Sequence, residues 1–96
     1  MFGHDELKAK VFYNETGFHA VYKFPNGYGA SVIRGPYSYG GKFGLYELAI
    51  LKDGDICYDH NEVTGLDGVV GFQTEEQIGE LLERIRLLSD SDDATN

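Results

Sequence analysis

The chain has 96 residues, 42% of them hydrophobic, with seven Tyr, six Phe, no Trp, 13 Gly and two Pro, which suits one folded domain with a single modest core and is too apolar for a disordered chain. Its single Cys57 excludes an internal disulfide, no apolar run approaches a membrane span, and the first residues lack the basic start and apolar stretch of a secretory signal, so the expectation is a cytoplasmic protein. The net charge of −8 is uneven: residues 1–52 carry six Lys/Arg against four Asp/Glu, residues 53–96 two against twelve, a balance that speaks against nucleic acid and for a basic protein partner or plain solubility.

Residues 1–7 show no periodicity and read as a short tail. Residues 8–13 alternate as a strand, and Asn14-Glu15-Thr16-Gly17 turns the chain so that Tyr13 pairs with Phe18 and Val11 with Ala20. The strongest local signal follows. Phe18, Ala20, Tyr22 and Phe24 alternate with His19, Val21 and Lys23; Asn26-Gly27 intervenes; then Tyr28, Ala30 and Val32 alternate with Gly29, Ser31 and Ile33. A two-residue turn at Asn26-Gly27 predicts Phe24 opposite Gly29, Tyr22 opposite Ser31 and Ala20 opposite Ile33 on the core face. His19, Val21, Lys23, Tyr28, Ala30, Val32 and Arg34 then share the other face.

Residues 34–44 break the alternation with four Gly, Pro36 and three aromatics, more than a hairpin loop needs. Residues 45–52 resume as a strand with Tyr46, Leu48 and Ile50 on one side. Asp53-Gly54 turns into a short fifth strand at 55–58, and the polar connection at 59–71 offers Val69-Val70 as a sixth. Thr74 and Gln77 form a capping box, Glu75 and Glu76 suit a helix start, and Ile78, Leu81, Leu82, Ile85 and Leu88 make one apolar stripe over 74–88. Gly79 lies off the stripe and costs about 1 kcal/mol against Ala. The expected fold is α+β: an antiparallel β-sheet meander of four to six strands, with one C-terminal α-helix packed across the face carrying Val11, Tyr13, Tyr22, Phe24, Tyr46, Leu48 and Ile50. One domain spans 1–88, and 89–96 is an acidic tail.

Two surfaces stand out as partner-binding candidates. The Gly/Tyr loop presents Tyr37, Ser38, Tyr39, Lys42 and Phe43 on a backbone free to shape itself, and the helix side opposite the stripe carries Glu76, Glu80, Glu83 and Leu87. An alternative ligand face, Lys10, His19, Lys23, Tyr28 and Arg34, interleaves cations with aromatics as a nucleotide or single-stranded nucleic acid requires. An edge strand or Leu87 offers a two-fold contact for a homodimer. Chemistry-bearing motifs are absent from the pattern. Gly41-Lys42 does not complete a phosphate loop, because Pro36 and Phe43 stand where Gly and a hydroxyl are needed. His4, His19, His60 and Cys57 lack metal-ligand spacing, and Asp53, Asp55 and Asp59 miss a calcium loop at Cys57 and Tyr58. No cofactor, metal or catalytic group is expected, and a non-enzymatic binding protein is.

The stretches Asn-Glu-Thr-Gly-Phe-His-Ala-Val-Tyr at 14–22, Phe-Pro-Asn-Gly-Tyr-Gly-Ala-Ser-Val at 24–32, Tyr-Ser-Tyr-Gly-Gly at 37–41 and Leu-Tyr-Glu-Leu-Ala-Ile-Leu at 45–51, with the closing Thr-Glu-Glu helix, resemble small accessory proteins encoded by tailed bacteriophages. The resemblance covers residues 10–88 and brings no functional residues with it. It implies a bacterial cytoplasm during infection, and a protein that binds and inhibits a host or defence protein.

Overall fold

The computed structural model describes residues 2–4, 8–14, 17–36, 38–58 and 68–88, with 9–14 described through their backbone. Tyr37, the connection at 59–67 with His60, and the 89–96 tail lie outside the described residues, as do the side chains of Lys10, Val11, Phe12 and Tyr13. Strands β1 (Lys8–Asn14), β2 (Gly17–Lys23), β3 (Tyr28–Arg34), β4 (Tyr46–Lys52), β5 (Asp55–Ile56) and β6 (Val69–Gln73) form one antiparallel sheet, followed by the helix α1 (Glu75–Arg86). The first four strands run as a meander. β5 and β6 share the far edge of β4, β5 pairing with Leu51 and Lys52 and β6 with Tyr46, Leu48 and Ala49. The α+β architecture is therefore the expected one, and among the described residues no helix is long and apolar enough to cross a membrane.

The first hairpin has the predicted register, with Val11 opposite Ala20 and Tyr13 opposite Phe18. The central hairpin does not. A two-residue turn at Asn26-Gly27 makes Pro25 the closing residue, which must donate an N–H to the Tyr28 carbonyl, and proline has none. The chain closes on Phe24 instead, whose N–H donates to the Tyr28 carbonyl at 2.8 Å, and the Gly27 N–H donates to the Phe24 carbonyl at 3.1 Å with Pro25 inside the turn. Tyr22 consequently faces Ala30, and Ala20 faces Val32. A slip of one residue moves every side chain of β3 to the opposite face: Tyr28, Ala30 and Val32 are buried in the core, while Ser31 and Ile33 turn to the open face.

The core lies between this corrected face and the helix. Ala20, Tyr22, Ala30, Val32, Leu48, Ile50, Ile78, Leu82 and Ile85 have no exposed surface, with Phe18, Phe24, Tyr46 and Leu81 buried around them. The helix begins as its sequence predicts: the Gln77 N–H donates to Thr74 Oγ1 at 3.1 Å, and the Thr74 N–H donates to Gln77 Oε1 at 2.8 Å. Its other end is held from the sheet. Asn26 Nδ2 reaches the carbonyls of Ile85 (2.9 Å), Arg86 (3.1 Å) and Leu88 (2.9 Å), while its Oδ1 accepts the Tyr28 N–H at 2.9 Å. Carbonyls in a last helical turn have no partner within the helix. The hairpin turn supplies one, tying the helix end to residues about 60 positions earlier.

Residues 2–4 are not the loose tail that their lack of periodicity suggests. Phe2 is buried, with its ring edge-on to Tyr46 (4.8 Å between centroids) and to Phe18 (6.0 Å). Its carbonyl lies over Gly79, where a Cβ would come within 2.8 Å of the oxygen. The glycine that looks like a defect in the helix is the notch that admits this segment. Gly79→Ala is accordingly expected to forfeit the gain of about 1 kcal/mol that helix propensity promises, leaving the urea midpoint unchanged or lower. A midpoint raised by that full amount would remove Phe2 from the notch.

Candidate functional site

The β3–β4 connection is a braced loop rather than a slack one. The Ser38 hydroxyl accepts the Gly35 N–H at 2.9 Å and donates to the Gly35 carbonyl at 3.0 Å; the Tyr39 N–H donates to Glu47 Oε1 at 2.8 Å; the Leu45 N–H closes on the Gly40 carbonyl at 3.0 Å. Gly41–Phe43 form a single 3-10 turn. These bonds use Ser38 internally and leave Tyr39 (65% exposed), Phe43 (75%) and the exposed Lys42 presented outward. Tyr37 lies outside the described residues.

A residue that no sequence pattern marked completes this surface. In β6, Val70 pairs with Leu48 but Gln73 pairs with Tyr46, so Gly71 and Phe72 together stand against Glu47 as a bulge. Val70 packs on the core, and unbroken alternation would send Phe72 inward after it. The bulge reverses this: Phe72 is 55% exposed, and its φ of 57° is in the left-handed region, which costs a non-glycine residue about 1–2 kcal/mol. Its N–H donates to the Tyr39 carbonyl at 3.1 Å, and its ring centroid is 6.3 Å from that of Phe43. Two glycines permit the approach. A Cβ on Gly40 would fall 2.8 Å from Phe72 Cα, and one on Gly71 would fall 2.3 Å from Tyr39 Cβ. Pro36, Ser38, Tyr39, Lys42, Phe43 and Phe72 line a shallow depression of about 190 Å³ there.

The helix ridge is only partly available. Glu76, Glu80 and Leu87 are exposed. Glu83, by contrast, accepts from Arg86 Nε at 3.0 Å and lies 3.1 Å from His4 Nε2. The Arg86 guanidinium holds its carboxyl below the usual range. Phe2 and Gly79 form the floor of a basin rimmed by Glu75, Glu76, Glu80 and Glu83.

The alternative ligand face is divided by the register of the central hairpin. His19 and Lys23 stay on the open face, but Tyr28 and Arg34 belong to the helix side, and the Lys10 side chain lies outside the described residues. Tyr28 is buried beneath the Lys52 ammonium, 4.2 Å from its ring centroid. The Arg34 guanidinium sits 4.9 Å over the Tyr46 ring and donates to its hydroxyl at 3.1 Å. What remains is a groove of about 760 Å³ on the open face, lined in part by His19, Val21, Lys23, Ser31, Leu51 and Asp53. His19 Nε2 and Ser31 Oγ are 2.8 Å apart within it. Among the described residues no three His, Cys, Asp or Glu side chains converge as a metal site. Comparison of the chain with family models, with curated proteins and with solved structures yields no match.

Proposed function

We propose that this chain is a non-enzymatic protein-binding module whose contact surface is the patch formed by Tyr39, Phe43 and Phe72, and that its partner is a bacterial host or defence protein that it inhibits. One observation carries the contact surface: a large apolar side chain is held out in solvent at Phe72 by a bulge and a strained backbone, although the core face was one residue of register away. Strain of this kind persists where the surroundings enforce it and concentrates at sites of function. Exposed rings on a braced frame are also how interfaces obtain most of their energy, since a rigid aromatic loses little entropy when a partner covers it. The partner class rests on the resemblance to phage accessory proteins and on the acidic second half of the chain.

Affinity capture tests the proposal. Immobilised wild-type chain should retain a protein from bacterial lysate that a Phe43→Ala/Phe72→Ala double variant, still folded by circular dichroism, does not; each anchor contributes about 2 kcal/mol or more when truncated. Equal retention by both chains would defeat the patch.

The open-face groove supports a second reading, a site for a nucleotide or similar small anion. Its size falls within the range of small-molecule sites, about 300–1,000 Å³, and Lys23, His19 and Ser31 supply a cation and hydrogen-bonding groups over the apolar Val21 and Leu51. Such binding would weaken with salt and with Lys23→Met while leaving the patch variants unaffected.

A further inference from the structure

Asn26-Gly27 is the one Asn-Gly pair in the chain, since Asn14 and Asn61 precede Glu and Asn96 is the last residue. A backbone nitrogen can attack the preceding asparagine side chain most readily when the following residue is glycine, which has no Cβ to obstruct the approach. The same asparagine holds the end of the helix, with Nδ2 within hydrogen-bond reach of three carbonyls. We propose that Asn26 is a self-modification site, converted to aspartate or isoaspartate through a succinimide, and that docking of α1 sets the rate.

In this step the Gly27 backbone nitrogen bonds to Asn26 Cγ, the Cγ–Nδ2 bond breaks, and the departing nitrogen takes up the proton from Gly27 to leave as ammonia. Water then opens the five-membered ring at either carbonyl, giving aspartate or isoaspartate. The folded chain restrains both ends of the reaction. The Gly27 N–H is engaged with the Phe24 carbonyl at 3.1 Å, and the two protons of the leaving amide are shared among the Ile85, Arg86 and Leu88 carbonyls. Attack therefore requires the turn and the helix end to part.

Once formed, the product prevents them from rejoining. A carboxylate has no proton to donate, so the Ile85, Arg86 and Leu88 carbonyls lose the amide donor, Ile85 keeping the Leu88 N–H at 3.1 Å, and all three meet a negative charge at the negative end of the helix dipole. Isoaspartate in addition lengthens the backbone inside a hydrogen-bonded turn. The result is a one-way release of the helix end from the hairpin turn.

The test compares the full wild-type chain under native conditions and in guanidinium chloride at the same mildly alkaline pH. Conversion at Asn26 is followed by peptide mass and by isoaspartyl methyltransferase labelling. Conversion in the native state is expected to be about tenfold slower or more, because only the opened population reacts; equal rates would overturn control by the helix. Asn26→Asp, which imitates one product, is expected to show a lower urea midpoint and faster amide exchange at Leu87 and Leu88. A wild-type midpoint with wild-type exchange would overturn release of the helix end. Should Asn26→Asp not fold, the rate comparison on the wild-type chain still decides the first point, and naturally converted chain separated by ion exchange decides the second.

Discussion

Leu82→Ala is expected to lower the free energy of unfolding by about 2–5 kcal/mol, the cost of losing buried methyl groups together with the cavity they leave. Leu82 has no exposed surface and sits at the centre of the helix stripe, with Ile78 and Ile85 equally buried on either side. The sheet beneath cannot collapse into the gap, because its residues are fixed by ladders on both sides of β3. A domain of this size has about 5–15 kcal/mol to lose, so the variant should sit markedly closer to the edge of folding. Urea denaturation followed by circular dichroism measures the effect. A midpoint within error of wild type would mean that the helix does not form part of the core.

Phe72→Gly should separate stability from function. Glycine adopts a φ of 57° without steric cost, so the variant is expected to be as stable as wild type or more stable by about 1 kcal/mol, despite losing a ring of its size. Ordinary phenylalanine-to-glycine changes at packed positions are among the most destabilising known. The same variant should weaken partner binding by about 2 kcal/mol or more, since it deletes one of three anchors. Gain of stability with loss of binding is the signature of a residue retained for contact. If Phe72→Gly is destabilised by several kcal/mol instead, the ring belongs to the fold, and the bulge has a structural origin.

Most elements were legible because their signals are local. The alternation around Tyr46, Leu48 and Ile50, the Asp53-Gly54 turn and the Thr74–Gln77 capping box each lie within a few residues, and the structure has all three. The central hairpin shows how a local signal fails. Asn-Gly was the more prominent turn feature, but the neighbouring Pro25 removed the donor that a two-residue turn needs, and the register moved by one. The candidate ligand face of His19, Lys23, Tyr28 and Arg34 came apart with it, while the loop residues Tyr39, Lys42 and Phe43 did not depend on that register and are exposed.

The chain's own residues determined the kind of its elements, the first hairpin's pairing and the apolar stripe of the helix, because period, turn chemistry and capping act between residues close in sequence. Tertiary structure alone decided three things. Phe2 entered the core because Gly79 left room for its carbonyl, Asn26 became the stop for a helix beginning at residue 75, and Phe72 was turned out by a bulge whose partners are Glu47 and Tyr39. Each joins residues separated by dozens of positions, and the energies involved come from shape and from unpartnered hydrogen-bonding groups that exist only once the sheet and helix have met.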